Sequence, residues 1–211
     1  MADSFYKEAL DLLALNEIEE SESQQNLVSI NTLFDKAIKN AQIIEKDFYE
    51  SKYIDDAYFI LGMSSFYQNK ISASKYYFER IFNEYNENDF FYKSIIMLSK
   101  LSLKMNDLDE FNLYISMIDQ ENLSSDEKVM FYLTLVDYNN YKENYKEVIE
   151  NSLLAINYTK SKTQKIPIYY NLLKIAENDK NYIDAIEYIN QIEYCLDGQN
   201  INNDLIDKWI D

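Results

Sequence analysis

Histidine is absent from this sequence of 211 residues. Its absence excludes Ser-His-Asp and Cys-His nucleophile systems, zinc sites that use histidine, and the commonest general base. Glycine is nearly absent as well: Gly62 and Gly198 are isolated, so no glycine-rich loop is available to bind phosphate. We therefore predict that the protein is not an enzyme and that it uses no metal or other cofactor.

Turn-forming residues are equally rare, since the sequence contains two glycines and one proline. Strands joined by tight turns need such residues, whereas the abundant Leu, Ile, Lys, Glu, Asn and Tyr are compatible with helices. The chain is 47% hydrophobic and 27% charged, which is the composition of a folded protein. We predict an all-α protein. The single cysteine, Cys195, excludes an intrachain disulfide and is expected to be a small buried apolar residue.

Basic residues are outnumbered by acidic ones, 20 against 37, which gives a formal net charge of −17. A chain with this charge repels nucleic-acid phosphates and anionic lipids. We therefore predict a protein or peptide partner and no nucleic-acid partner. The alternative is that the acidity serves only to keep an exposed helical surface soluble.

Long apolar runs are missing too, because no stretch reaches the roughly 18 apolar residues of a membrane-spanning helix. We predict no insertion into a membrane. The first residues, MADSFYKEALDLL, are acidic where a signal peptide is basic. The expected location is the cytoplasm if the chain is complete, and the bacterial periplasm or cell envelope if the N-terminus is not the native one.

What the sequence does contain is an internal repeat with a period of 37 residues. The segment YFILG at 58 aligns with IIMLS at 95, YLTLV at 132 and YYNLL at 169. This register places one leucine in every unit: Leu61, Leu98, Leu135 and Leu172. Each unit then has a polar break and a second stripe of apolar residues at helical spacing. Each unit is therefore predicted to be a helical hairpin.

The same register continues towards the N-terminus, where Phe34, Ala37 and Ala41 occupy the second-helix positions. We predict an opening hairpin with an acidic connection around residues 16–26. Near the C-terminus, Gly198 is a helix stop, and INNDLIDKWID predicts a short capping helix.

Together these features predict an α-α superhelix, or solenoid, of about five antiparallel helical hairpins in one domain spanning residues 1–211. The predicted parts are an atypical hairpin at 1–48, repeats at 53–86, 90–122, 126–160 and 165–197, and a capping helix at 199–211.

The repeat that begins at residue 58 has a fixed order of aromatic, Leu-Gly, small and phenylalanine positions: Tyr58, Leu61, Gly62, Ser65, Ser74 and Phe78. This pattern resembles the tetratricopeptide repeat family. The period here is 37 residues rather than the family's roughly 34, and Asn86 stands where the family has proline. The resemblance covers about residues 34–196, with one strong repeat and three degenerate ones.

Gly62 lies within an apolar, helix-like run, where glycine costs about 1 kcal/mol relative to alanine. The resemblance implies that the second helix of the hairpin crosses the first at this position. A residue without a side chain then lets the two helix axes approach closely. We predict that Gly62 serves packing rather than catalysis.

The resemblance also implies a binding surface, because tetratricopeptide arrays line their concave face with the first helix of each repeat. Transferred to this sequence, the candidate partner-binding residues are Phe59, Met63, Phe66, Tyr67, Met97, Lys100, Lys104 and Tyr141. Aromatic and methionine side chains beside lysines suit a peptide with apolar anchors and an acidic residue. The alternative is that Phe59, Ile60 and Phe66 only pack against the opening hairpin.

We expect a monomeric, non-enzymatic scaffold that binds a peptide or a segment of a partner protein in this groove. One alternative is a subunit of a bacterial envelope or outer-membrane assembly complex, because FYESKYIDDAYFILGMSSFYQNKISASKYYF is similar to repeats of envelope lipoproteins. Such lipoproteins carry a signal peptide and an acylated cysteine, which this sequence does not show. A second alternative is a structural protein that associates with itself through an uncapped end.

Overall fold

The computed structural model describes residues 1–18, 24–85 and 89–196, and these residues form ten α-helices. The helices are α1 Ala2–Ile18, α2 Gln24–Asp47, α3 Ile54–Tyr67, α4 Ile71–Glu84, α5 Phe91–Lys104, α6 Leu108–Ser116, α7 Ser125–Tyr141, α8 Tyr145–Tyr158, α9 Lys162–Asn178 and α10 Tyr182–Leu196. A short 3-10 helix spans Gln120–Asn122, and the described residues contain no β-strand. The prediction of an all-α protein is confirmed. The predicted helix stop at Gly198 and capping helix at 199–211 lie outside the described residues.

The chain divides into two compact units, Met1–Leu13 with Glu22–Leu123 and Ala14–Ser21 with Ser124–Asp211. Within the first unit, consecutive helices pack against each other: α2 with α3, α3 with α4, α4 with α5, and α5 with α6. Within the second unit, the helices from α7 to α10 pack in the same sequential order. This packing confirms the predicted series of helical hairpins, which pair α3 with α4, α5 with α6, α7 with α8 and α9 with α10.

The opening hairpin is held by contacts between α1 and α2. The ring centroids of Tyr6 and Phe34 are 6.4 Å apart, and the Lys36 ammonium lies 5.5 Å from the centroid of the Phe5 ring. Ala9 and Phe34 are buried. Part of the acidic connection predicted around residues 16–26 is helical, since α1 extends to Ile18 and α2 begins at Gln24; residues 19–23 lie outside the described residues.

The four turns within the paired hairpins share one backbone geometry. Each turn has one residue with φ between 56° and 58°, and these residues recur every 37 positions: Asn69, Asn106, Glu143 and Lys180. In the first turn, the Asn69 N–H donates to the Phe66 carbonyl at 2.9 Å and the Lys70 N–H donates to the Ser65 carbonyl at 2.8 Å. The other three turns repeat both bonds. This is the Schellman ending of a helix, which glycine usually makes and which is made here without glycine. It lies where the sequence predicted the polar breaks.

Polar side chains at the start of α6, α7 and α9 accept hydrogen bonds from unpaired backbone N–H groups. Asp107 accepts from the N–H of Glu110 at the start of α6. Ser124 accepts from the N–H of Glu127, whose carboxylate returns to the N–H of Ser124, so that α7 begins with a complete capping box. Ser161 accepts from the N–H of Gln164 at the start of α9. Local sequence therefore determines where these helices begin.

Gly62 lies against the ring of Phe78, which belongs to the second helix of the same hairpin. A Cβ atom added to Gly62 would lie 2.8 Å from Phe78 Cζ and 2.9 Å from Phe78 Cε1. The Ser74 hydroxyl, also on α4, donates a hydrogen bond of 2.8 Å to the Gly62 carbonyl. The ring has no room to move away freely, since Phe78 is fully buried. The prediction that Gly62 serves close helix packing is confirmed.

The repeated leucine column is buried in three of its four positions. Leu61, Leu98 and Leu172 are at most 1% exposed. Leu135 differs from the other three because it is only partly buried. On its helix, α7, the buried residues include Phe131 instead. Most of the repeated leucines therefore serve helix packing.

In the described part of the chain, no helix is both long and apolar enough to cross a membrane.

Candidate functional site

The predicted partner-binding residues of the first unit lie on α3 and α5, the first helices of two successive hairpins. Residues separated by three, four and seven positions share one face of an α-helix. Each helix carries such a stripe: Phe59, Met63 and Phe66 on α3, and Lys93, Met97, Lys100 and Lys104 on α5. Helical spacing alone thus predicts two aligned stripes, and the structure determines how they lie against each other.

The two stripes lie side by side and run in the same direction. Near the start of both helices, the Lys93 ammonium is 5.9 Å from the centroid of the Phe59 ring. Near their ends, the Lys104 ammonium is 4.6 Å from the centroid of the Phe66 ring. The fold therefore brings the predicted residues of two repeats onto one surface. We name this surface the aromatic–lysine face and define it by Phe59, Phe66, Phe90, Lys93, Lys100 and Lys104.

The Phe59 end of this face is a packed group of rings with one ammonium. Phe59 stacks on Phe90 with ring centroids 4.6 Å apart and meets the edge of Phe78 at 6.1 Å. The Lys93 ammonium lies 5.2 Å from the centroid of the Phe90 ring. Phe59 therefore packs against Phe78 of α4 and against the residue that precedes α5.

The Phe66 end has two ammonium groups over one ring. Besides Lys104, Lys100 places its ammonium 6.0 Å from the centroid of Phe66. The Tyr67 ring lies edge-on to Phe66 with centroids 5.6 Å apart, and Tyr67 also stacks on Phe34 at 5.3 Å. Because Phe34 belongs to α2, the ring that packs against the opening hairpin at this end is Tyr67.

Burial separates the predicted residues into those that build the face and those that are accessible. Met63 and Phe66 are 7% and 8% exposed, and Met97 is 3% exposed. Tyr67 is 38% exposed, and Lys104 is exposed as well. A partner on this face would therefore touch lysines and ring edges, while the methionines support them from below.

Lys93 and Lys104, at opposite ends of the face, each hold their ammonium group over aromatic rings. Among the described residues, neither Lys93 nor Lys104 has a carboxylate oxygen within 4.0 Å, whereas Lys75 lies 2.6 Å from Glu110 and Lys7 lies 2.7 Å from Asp3. An ammonium over an aromatic ring gains about 0.5–1 kcal/mol at an exposed site and keeps its positive charge. The face is consequently a positive stripe on a protein of net charge −17.

Carboxyl groups lie near the Phe59 end, at the start of α3. The pKa of Asp56 is raised above its usual value by burial and then by the negative charges of Asp55 and Asp3, with a further contribution from Asp89. Negative potential at this end thus opposes an additional anion. The aromatic–lysine face is therefore polarised, with its positive potential concentrated at Lys100 and Lys104.

Tyr141 is the last residue of α7 and belongs to the second unit. Its side chain is 50% exposed. The Lys142 ammonium lies 5.7 Å from its ring centroid and 5.7 Å from that of Tyr138. Tyr141 therefore belongs to a local group of tyrosines and one lysine in the second unit.

Phe90 is the residue of the face that the sequence did not predict. It lies one position before α5 and stacks on Phe59 of the preceding hairpin. A repeat register assigns positions within helices, so it gives no reason to select a residue in the connection before one. The signal in the sequence is the aromatic run FFY at residues 90–92, which places rings at the start of a helix.

Comparison of the chain with protein-family models, with curated proteins and with solved structures gave no match.

Proposed function

We propose that this protein is a non-enzymatic scaffold with tetratricopeptide-like hairpins, and that it binds a segment of a partner protein on its aromatic–lysine face. The observation that carries the proposal is the side-by-side arrangement of α3 and α5, which aligns Phe59 with Lys93 and Phe66 with Lys104. The proposal that the protein is not an enzyme is supported by the absence of histidine from the sequence.

The composition of the face supports binding of a protein segment. Aromatic rings contribute a large contact area at a small cost in conformational entropy, and they are common among residues that dominate binding energy. Phe66 and Phe59 are held by neighbouring rings, so they do not have to be ordered when a partner binds. The lysines add charge that selects among partners. A short segment with apolar side chains along one edge would fit this surface.

The proposal is tested by changing the exposed residues Tyr67 and Lys104. The double variant Tyr67→Ala, Lys104→Glu is expected to lose capture of partner proteins from a native lysate, compared quantitatively with the unchanged protein. The matched control is Lys146→Glu on α8, which makes the same charge change at a side chain that is 82% exposed. Helix content measured by circular dichroism should be the same in all three proteins.

Equal capture by the double variant and the unchanged protein would contradict the proposal and move the site elsewhere. Substitution of Met63 or Phe66 by aspartate is a poor test, because both side chains are buried. A charge placed there without a partner would destabilise the fold itself. Loss of capture would then report unfolding rather than loss of a contact.

Self-association is a second candidate, favoured by the apolar surface of α10. Four large side chains of this helix are more than half exposed: Tyr182 at 66%, Ile183 at 81%, Ile186 at 60% and Tyr194 at 61%. Exposed apolar patches often mark contacts between proteins. Sedimentation velocity on the unchanged chain and on Ile183→Ser, Ile186→Ser tests this candidate. It predicts a dimer or larger species that the double variant lacks, and a monomer in both samples would contradict it.

A further inference from the structure

We infer that the segment bound on the aromatic–lysine face is acidic and that its carboxylates bind at the end formed by Lys100 and Lys104. The inference rests on the proposed function, because it names the chemistry of the partner at the same site. It follows from three features of the first unit: the geometry of Lys104 over Phe66, the pairing of other lysines in the protein, and the charges at the opposite end of the face.

The first feature is that Lys104 holds its ammonium in place and leaves it available. The Phe66 ring lies 4.6 Å from Lys104 Nζ and contacts one side of the group. An ammonium has three N–H donors, so donors remain for a carboxylate that approaches from the solvent. Lys104 is exposed, which makes that approach possible. A partner residue that binds here would meet a charge and an aromatic edge together.

The second feature is the contrast with lysines elsewhere in the chain. Lys7, Lys75 and Lys146 each lie within 4.0 Å of a carboxylate of the protein itself. Among the described residues, Lys93 and Lys104 have ring contacts and no such carboxylate. Close to Lys104, the potential is therefore positive at short range, which favours an anionic partner even though the whole protein is anionic.

The third feature fixes the position of the carboxylates along the face. At the Phe59 end, the pKa of Asp56 is raised by burial and then by the negative charges of Asp55, Asp3 and Asp89, which lie close enough to act on it. A partner carboxylate at that end would be opposed by these charges. At the Phe66 end, Lys100 and Lys104 both lie over one ring. The acidic residues of the partner therefore bind at the Phe66 end, and its apolar residues extend towards Phe59.

A displayed library of random peptides, selected against the intact protein, tests the inference without knowledge of the natural partner. The expected result is enrichment of Asp and Glu beside apolar residues among the selected peptides. Binding of these peptides should become about tenfold weaker in Lys100→Gln, Lys104→Gln, since a lost contact between opposite charges is of that order. Lys93→Gln should weaken binding by less than about threefold.

The control is Lys39→Gln, Lys146→Gln, which changes the net charge by the same amount at two exposed residues that are not part of the face. This control should leave the affinity for the selected peptides unchanged. It shows how much of any loss in the test variant comes only from long-range repulsion between the more negative protein and an acidic peptide. Selected peptides without acidic enrichment that still lose binding in Tyr67→Ala would overturn the inference and leave the proposed function standing. Selected peptides that bind all variants equally would contradict both.

Discussion

The ammonium group of Lys75, on α4, donates to both carboxylate oxygens of Glu110, on α6, at 2.6 and 2.8 Å. The Ser102 hydroxyl donates to the same carboxylate at 2.7 Å. These three residues come from three helices and two successive hairpins of the first unit. The carboxylate thus connects one hairpin to the next at a half-buried position, where both charged side chains are 23% exposed.

We predict that Lys75→Met and Glu110→Gln each lower the free energy of unfolding by about 1–2 kcal/mol, since each leaves a half-buried partner without its opposite charge. The double variant should lose less than the sum of the single losses, because both remove the same contact. Urea unfolding of the four proteins measures this coupling. Strictly additive losses would show that the ion pair does not connect the hairpins energetically.

Gly62→Ala is predicted to destabilise the protein by about 1–2 kcal/mol, although alanine favours a helix more than glycine does. The reason is that the new methyl group would overlap the ring of Phe78, which is fully buried. In a Phe78→Leu background the same substitution should be neutral or stabilising, because the obstructing ring atoms are gone. Thermal unfolding of the four proteins checks the prediction. A single variant Gly62→Ala more stable than the unchanged protein would show that the ring can shift at little cost.

Glu143→Gly and Lys180→Gly are predicted to stabilise the protein by up to about 1 kcal/mol each. Both residues have φ of 56°, a left-handed conformation that costs roughly 1–2 kcal/mol for a residue with a side chain and little for glycine. Glycine also gains entropy in the unfolded chain, which offsets part of the benefit. The matched control is Lys146→Gly, inside α8, which should be destabilising by about 1 kcal/mol. Chemical denaturation measures the free energy of unfolding of each variant and so shows whether it is stabilised or destabilised. Destabilisation by all three changes would contradict the turn geometry.

Stability is predicted to fall as the pH rises from 10 through 12, in part through Tyr77. Burial, followed by the charge of Glu45, raises the pKa of Tyr77 from 10.0 to about 12. Because the pKa is higher in the folded state, the stabilising difference is fully present below the unfolded value and is lost as pH passes through the folded value. Tyr77→Phe should make unfolding less dependent on pH in this range. An unchanged pH dependence of unfolding in that variant would show that the pKa of Tyr77 is the same in the folded and unfolded states.

Asp56 should produce a pH dependence of the same sign, but at low pH. Burial and neighbouring carboxylates raise its pKa, so the folded state binds a proton more readily than the unfolded chain does. Its contribution to stability therefore improves as pH falls through the folded pKa, and Asp56→Asn should stabilise the protein at neutral pH. Thermal midpoints of both proteins between pH 4 and 7 test this, and a lower midpoint for the variant at pH 7 would contradict it.

The sequence was sufficient to predict the helical hairpins, because the 37-residue register reappears in the backbone as φ near 57° at Asn69, Asn106, Glu143 and Lys180. The close contact at Gly62 was predicted from the resemblance to the tetratricopeptide repeat. Periodicity reports which positions face a neighbouring helix, and these contacts repeat from unit to unit. It was therefore informative wherever the contact is local to a hairpin.

The accessibility of the candidate site was not predictable in the same way. The resemblance to the tetratricopeptide repeat selected Met63, Phe66 and Met97 as candidate binding residues, but all three side chains are buried. Exposure depends on how completely other helices surround α3, and ten of its 14 residues are buried. Phe90 was missed because its contact with Phe59 joins two hairpins through a residue outside both helices. Contacts of this kind depend on the three-dimensional path of the chain rather than on its period.

The most direct test of the central claim, that the aromatic–lysine face binds a protein segment, is a hydrogen-exchange footprint of the intact chain with and without a saturating selected peptide. Slower amide exchange is predicted in α3 and α5 when the peptide is bound, and weaker protection of α3 and α5 in Lys100→Gln, Lys104→Gln at a peptide concentration near the Kd of the unchanged protein. Protection confined to α7–α10 of the unchanged protein would contradict that claim.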